Sequence, residues 1–541
     1  MAASFAEPNI LGFPKYGWHP GNYSYIFRSY YVPVLVRTVL FAGGATLACL
    51  LIALPTAYTI ARYGGRRRNL LIAIFVLPWF VDYLVRIYAW VVMLAPAGIV
   101  NGFLHRLGVS GDPPVTLLNT WYAVLGGLTY SYFPFMVLPI YAALEALDPS
   151  VIEAGKDLYG ARAATFRRVT WPMARAGVIA GCVLVFLPSV GDFATAQLLG
   201  GPRNYMLGNL IADQFDGGDW TIGAAMTVVV MSGLLIGILF SLRASRLRSS
   251  PQGSAGRGQI AVPERRRHGR RGRGPLDRPR GLWIATWVTA AWLLLPIAVV
   301  VIFSFNNGRS LIALQGFSLR WYRDVAADPS MRGSVGVSLQ IALATTLFAT
   351  TLGTLAAFGI ARSHSRWARV VQGTAALNLV APEIATGVAL LLLFTQINLP
   401  LSNAAIVLGH VTFCIPFVAA IVGGRLAGLS GEVEEAAMDL GATRWKAVRY
   451  AALPQLWPAI TAASMLAFVL SFDDFVTSFF VSGVGTPTLP VRIYSMLRFG
   501  VSPAVNAIGT FMIVIAMTLG LAALAVLRSR NSRPASIAAP P

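Results

Sequence analysis

Two polar stretches of twenty residues, each set between long apolar runs, carry nearly the same sequence. Residues 153–172 read EAGKDLYGARAATFRRVTWP, and residues 435–454 read EAAMDLGATRWKAVRYAALP. They align without a gap at a spacing of 282 residues, with seven identities in twenty positions. Glu153 pairs with Glu435, Ala154 with Ala436, Asp157 with Asp439 and Leu158 with Leu440. Arg162 pairs with Arg444, Arg167 with Arg449 and Pro172 with Pro454. A repeat of this kind governs every local reading, because each copy must fold as one unit. The chain is therefore two related halves, each presenting the same polar island.

The runs around the islands set the fold class. Of 541 residues, 56% are hydrophobic and only 12% charged, against about 25% charged in a soluble domain. Apolar segments near the ~20 residues a bilayer requires fall roughly at 38–60, 69–94, 121–144, 176–198 and 222–242. After a basic segment they resume at 282–305, 337–360, 370–397, 404–426, 458–480 and 507–527. The expectation is an all-α polytopic membrane protein of about eleven transmembrane helices, in two parallel-repeat halves of five and six. The halves span 1–246 and 282–541, joined by a linker over 247–281. Residues 1–33 hold no apolar run long enough for a signal peptide or a span. The aromatic stretch before Thr38 resembles residues 316–325, which follow the additional span of the second half. A twelfth span, lost from the front of the first half or unrecorded there, is therefore expected.

The net charge of +21 is concentrated in one place. From Arg243 to Arg280 there are twelve arginines against Glu264 and Asp277. This Gly-, Pro- and Ser-rich segment has no hydrophobic period and reads as a disordered linker. Anionic lipid headgroups, not nucleic acid, are its expected neighbours. With this linker, the Arg66–Arg68 cluster, both islands and the 528–533 tail facing the cytoplasm, the amino terminus is extracytoplasmic. Cys49, Cys182 and Cys414 all lie in apolar runs and read as small core side chains.

Each island reads as helix, tight turn, helix, with a glycine allowing a positive φ at the corner. A small apolar knob with charged flanks suits a groove on a partner. The alternative is an amphipathic interfacial helix whose arginines meet headgroups. Two copies at corresponding places favour docking on a dimeric partner.

The second island, with Glu435, Ala436, Ala437, Gly441, Leu453 and Pro454, resembles the EAA loop of bacterial ABC importer permeases. The first departs from that pattern: Gly155 replaces the third residue, Tyr159 stands at the glycine position with Gly160 next, and Trp171 precedes Pro172. The stretch SFDDFVTSFFVSG at 471–483, with Thr488-Leu489-Pro490 and Ile493-Tyr494-Ser495-Met496, resembles one permease of spermidine/putrescine importers. The Leu84-Val85-Arg86-Ile87-Tyr88 and Gly191-Asp192-Phe193 stretches resemble the other. The resemblance implies two permeases fused in one chain of the type I importer fold, in a bacterial plasma (inner) membrane. It implies partners: two copies of an ATPase that hydrolyses ATP with Mg, and an extracytoplasmic solute-binding protein. Its coupling residues are then Glu153, Ala154, Asp157, Gly160, Glu435, Ala436, Ala437, Asp439 and Gly441. Polyamine is the favoured solute. Thiamine, ferric ion, an aminophosphonate or an opine-like amino compound is the alternative.

Ionisable groups within spans are costly and mark solute paths. The candidates are Asp82, Asp192, Glu383, Asp473 and Asp474, with Arg86 near Asp82. Asp192 and Asp474 are again 282 apart. Carboxylates attract cations, and a polyamine also needs aromatic faces, for which Tyr88, Tyr83, Trp79 and Trp90 are at hand. The competing reading is that the aspartates cap backbone amides at span ends and that Asp82 pairs with Arg86 one turn on. The only Gly-Lys, Gly155-Lys156, is followed by Asp157, so no P-loop is encoded. No catalytic, metal-binding or cofactor-binding pattern is present. An ion-driven secondary transporter also has repeats and membrane carboxylates, but has no need of two matching cytoplasmic knobs. A membrane scaffold would leave the carboxylates unexplained.

Overall fold

The computed structural model describes residues 2–8, 14–27, 31–108, 114–248, 279–308, 314–363, 365–380, 383–429, 431–485, 487–499 and 503–531. Most of the expected linker, Pro382, residues 500–502 and the end of the basic tail lie outside these.

Among the described residues the fold is all-α apart from one short antiparallel pair near the amino terminus, β1 (Glu7–Pro8) with β2 (Pro14–Lys15). The first half runs α1 (Gly21–Ile26), α2 (Tyr31–Tyr63), α3 (Arg68–Val76), α4 (Tyr83–Leu94), α5 (Ile99–Arg106) and α6 (Trp121–Glu145). Its island forms α7 (Pro149–Tyr159) and α8 (Arg162–Thr165), followed by α9 (Trp171–Gly191), α10 (Leu207–Asp216) and α11 (Trp220–Arg248). The second half opens on α12 (Arg280–Ser304) and α13 (Arg320–Ala327). It then repeats the order with α14 (Pro329–Arg362), α15 (Arg366–Val380), α16 (Glu383–Gln396) and α17 (Asn403–Ala427). Its island is α18 (Glu432–Asp439) and α19 (Arg444–Ala447), followed by α20 (Leu453–Phe472), α21 (Val476–Val481), α22 (Leu489–Phe499) and α23 (Ala504–Asn531).

Among the described residues, nine helical stretches are long and apolar enough to cross a bilayer. Two shorter apolar helices, Trp220–Gly233 and Glu383–Gln396, bring the number to the eleven expected. Four spans differ from the hydropathy reading, and one of them, the eighth, is two helices, α15 ending at Val380 and α16 starting at Glu383. The second span is not continuous from 69 to 94. Pro78 lies in a 3-10 turn, and the Asp82 carboxylate accepts from the Val85 N–H at 2.8 Å, so the helix restarts at Tyr83. The fourth and tenth spans stop at Gly191 and Phe472, just before Asp192 and Asp473. Apolar residues continue past both aspartates, so hydropathy alone runs through the break.

Each half is built on a three-helix core: α2, α6 and α9 in the first, α14, α17 and α20 in the second. Small residues let the backbones approach. A Cβ on Gly177 would lie 2.5 Å from the Pro139 carbonyl oxygen, and one on Gly353 would lie 2.6 Å from Val418 Cβ. Leu40, Leu47 and Leu51 on α2, and Leu343, Leu347 and Leu355 on α14, are exposed in the protein and suit a lipid-facing surface. The additional span α12 packs on α23 of its own half and also reaches across to α2 and α4 of the first. The Tyr130 hydroxyl donates to the Leu293 carbonyl at 2.9 Å, and Trp292 meets Trp90, Tyr130 and Phe133. The halves are further joined by one apolar core holding Phe193, Ile211, Leu391, Phe475 and Ile493. Cys49, Cys182 and Cys414 are free thiols, the first and last buried.

Candidate solute cavity and coupling islands

A cavity of about 200 Å³ lies between the halves. It is lined by Arg86, Glu383, Asp473 and Asp474, and by the rings of Trp79, Tyr83, Tyr132, Phe135, Phe413 and Phe417. The breaks in the spans place the charged groups. Asp82 stands at the restart of the second span and Glu383 at the first residue of α16, its equivalent in the second half. Asp192 follows α9, and Asp473 and Asp474 follow α20. Chain interruption at membrane depth is tolerated where it lines a cavity, and here it brings the five carboxylates of the sequence reading to one region.

They are not equivalent. Asp192 is saturated: it accepts from the Thr195 N–H at 2.9 Å, the Thr195 hydroxyl at 2.8 Å and the Tyr132 hydroxyl at 3.1 Å. Tyr83 adds a 3.0 Å hydroxyl contact to Thr195. Asp474 accepts from the Ser478 N–H at 2.9 Å and faces His410 Nε2 at 3.0 Å. Both aspartates therefore do cap backbone amides, as the competing reading has it, Asp192 three residues on and Asp474 four residues on. By contrast Glu383 is exposed to the cavity and Asp473 is half-buried beside it. Asp82 is 1% exposed, and its second oxygen has no hydrogen-bond partner.

Tyr88 lies outside the cavity. It is fully buried in the shared core, as two residues along a helix is a turn of about 200° and carries it away from the Arg86 face. Trp90 packs on Tyr130 and Trp292 instead. Tyr83 and Trp79 do line the cavity.

His410 was not singled out in the sequence. It is buried, with Nδ1 2.8 Å from Ser471 Oγ and Nε2 3.1 Å from Ser478 Oγ, in addition to Asp474. Its register equivalent in the first half is Leu128, so the repeat gave no signal. His410→Ala is expected to lower stability by about 3 kcal/mol, because it strips a buried carboxylate of its partner. The midpoint of thermal unfolding of the purified chain checks this.

An aromatic cluster bounds the cavity on the side away from the islands. Phe193 and Phe475, again 282 apart, meet at 5.6 Å between ring centroids. Phe479, Phe480 and Tyr494 pack on Phe193. Two polar ties cross between the halves beyond it: the Tyr494 hydroxyl donates to Gln197 Oε1 at 2.7 Å, and Arg498 lies 3.5 Å from Asp216.

The islands form helix, corner, helix. Gly160 and Gly441 both take positive φ, +65° and +86°. The first corner sits one position later than the second, which is why Tyr159 occupies the aligned glycine position. Gly155 is demanded by packing, since a Cβ there would lie 2.9 Å from Val169 Cγ2. Beyond each corner comes a π-helical turn, Phe166–Thr170 and Val448–Ala452, at identical register. Ion pairs tie span ends to the island regions: Arg68 to Glu145 at 2.7 Å, and Arg362 to Glu434 at 2.5 Å. Glu153, Ala154, Asp157, Gly160, Glu435, Ala436, Asp439 and Gly441 are exposed, and Ala437 is half-buried. At the tips Leu158 is 74% and Leu440 90% exposed.

The model of the family described as "Binding-protein-dependent transport system inner membrane component" matches residues 50–248 and again 349–533. The chain belongs to that family. Over 250 residues this permease is 38% identical to "Spermidine/putrescine transport system permease protein PotB" of Escherichia coli (strain K12), covering 46% of this chain and 90% of that protein. Over 241 residues it is 36% identical to "Spermidine/putrescine transport system permease protein PotC" of the same organism, covering 44% and 91%. Two different permeases of one system are each matched over nearly their whole length, as two permease halves fused in one chain require. The permease is a multi-pass inner-membrane protein and not an enzyme. A solved bacterial alginate ABC transporter, in complex with an alginate pentasaccharide-bound periplasmic protein, is 18% identical with a TM-score of 0.39, covering 43% of this chain and 84% of that one.

Proposed function

We propose that this permease is the membrane pore of an ATP-driven importer for small organic cations of the spermidine and putrescine kind. The observation that carries the solute class is the cavity between the halves, where carboxylates meet aromatic faces. Ammonium groups separated by methylenes are matched by spaced carboxylates and rings, and the same carboxylates repel anions. The two permeases matched carry spermidine/putrescine in their names.

The coupling reading rests on the islands. Two copies of a separate ATPase dock there, and ATP with Mg is hydrolysed on those subunits. An extracytoplasmic binding protein delivers solute to the opposite face. The islands, the 247–281 linker and the carboxyl terminus are cytoplasmic, and the amino terminus is outside. Residues 1–246 and 282–541 act as the two halves. Closure of the ATPase pair draws the islands together. Each island passes its motion through a π-turn into α9 or α20, whose far ends carry Phe193 and Phe475. Separation of those rings opens the cavity outward.

Competition tests the solute. In vesicles holding the permease, its ATPase and its binding protein, unlabelled putrescine must reduce labelled spermidine uptake, while thiamine, ferric chelates and aminophosphonates must not. Inhibition by one of the latter alone overturns the polyamine reading.

A further inference from the structure

We propose that Arg86 is a tethered competitor for the solute's ammonium groups and sets how many of them the cavity accepts. This deepens the cation reading above and rests on it. Asp192 and Asp474 are occupied by Tyr132, Thr195, Ser478 and His410. Glu383 and Asp473 line the cavity without such donors, and the buried Asp82, one oxygen of which accepts from the Val85 N–H, adds a third carboxylate behind the wall. They come from three elements: the start of α4, the start of α16 and the end of α20.

Arg86 stands one turn after Asp82 on α4. It is 6% exposed and shares the cavity wall with Glu383 and Asp473. A structural arginine is normally locked by a bidentate pair. Arg86 is held more loosely. Among the described residues its hydrogen bond is a long one, Nη1 to the Ser131 carbonyl at 3.5 Å, and its Nε has no partner.

A buried cation without a fixed partner is costly, so the guanidinium must balance one carboxylate when no solute is bound. An entering ammonium group meets a cavity with one carboxylate already answered. The charge left over suits a diamine, and the third ammonium of a triamine has to displace Arg86. The displacement also keeps binding weak enough for release.

The test compares half-saturation for a diamine (putrescine) and a triamine (spermidine) in uptake vesicles, with the ATPase and binding protein held constant. Arg86→Gln is expected to shift preference toward the triamine by about tenfold, the size of one partly screened charge contact. Arg86→Lys keeps the parent ratio. Arg86→Gln with Asp82→Asn removes one charge of each sign and returns the ratio toward the parent. Where uptake is lost, the same ratio is read from amine-dependent thermal stabilisation of the purified chain. An unchanged ratio in folded Arg86→Gln overturns the proposal. So does failure of both Gln variants to fold, which makes Arg86 structural. A parent chain that responds to neither amine removes the cation reading itself, and this inference with it.

Discussion

Aspartate in place of both Leu158 and Leu440 is expected to abolish ATP-driven uptake while leaving the chain in the membrane at its usual level. The two leucines sit at the same register of the repeat, on the tips of the two islands, and contribute almost nothing to the fold as it stands. Their substitution therefore has little reason to unfold the protein. Burying a leucine in a partner's groove is worth about 2 kcal/mol, and placing a carboxylate there adds a desolvation cost. Two docks lost together multiply, so the double variant falls much further than either single one. The single variants are expected to differ. The second island also exposes Trp445 and Tyr450, where the first has Ala163 and Arg168, so Leu440→Asp retains more aromatic contact than Leu158→Asp retains of any kind. Uptake in vesicles, with the chain quantified in the same membranes, measures the effect. Full uptake by the double variant would remove the islands from coupling.

The constant register of 282 made much of this legible. It aligns the islands, the Asp192 and Asp474 caps, the Phe193 and Phe475 rings and both π-turns. Upstream of α6 the register fails, because the first half carries the short helix α5 in a longer connection. Asp82 and Glu383 therefore did not align, although both begin the helix after a break in the second span of their half. Hydropathy misjudged the breaks for a physical reason: apolar residues continue past Asp192 and Asp474, and the break shows only in the two carboxylates that cap the segments after it. The direction of a side chain around a helix was within reach of simple periodicity, and Tyr88 could have been separated from Arg86 on that ground. His410 could not. A lone histidine in an apolar run has no signal until the fold sets Ser471, Asp474 and Ser478 around it. The packing of α12 on the first half was equally hidden, since its hydropathy says only that it spans.

Asp473 and Asp474 are neighbours in sequence, yet asparagine at each should have opposite consequences. Asp474 is held by His410 and the Ser478 amide, deep against α17 and the start of α21. Its carboxylate does structural work there, so Asp474→Asn weakens a charge-assisted contact and costs about 2 kcal/mol of stability, with a lower unfolding midpoint. Asp473 has no such set of donors. It lines the cavity beside Glu383 and faces Asp82 across the interface between the halves. Carboxylates gathered in one low-dielectric region repel each other, which a bound cation relieves. Asp473→Asn should therefore leave stability unchanged or raised, while half-saturation for cation uptake rises about tenfold, equivalent to ~1.4 kcal/mol of binding. Glu383→Gln should behave like Asp473→Asn, because Glu383 too is exposed to the cavity. Paired measurement of unfolding midpoint and uptake on all three variants separates the roles. If Asp473→Asn lowers the midpoint and spares uptake, the solute path runs elsewhere and the carboxylates are caps in both halves.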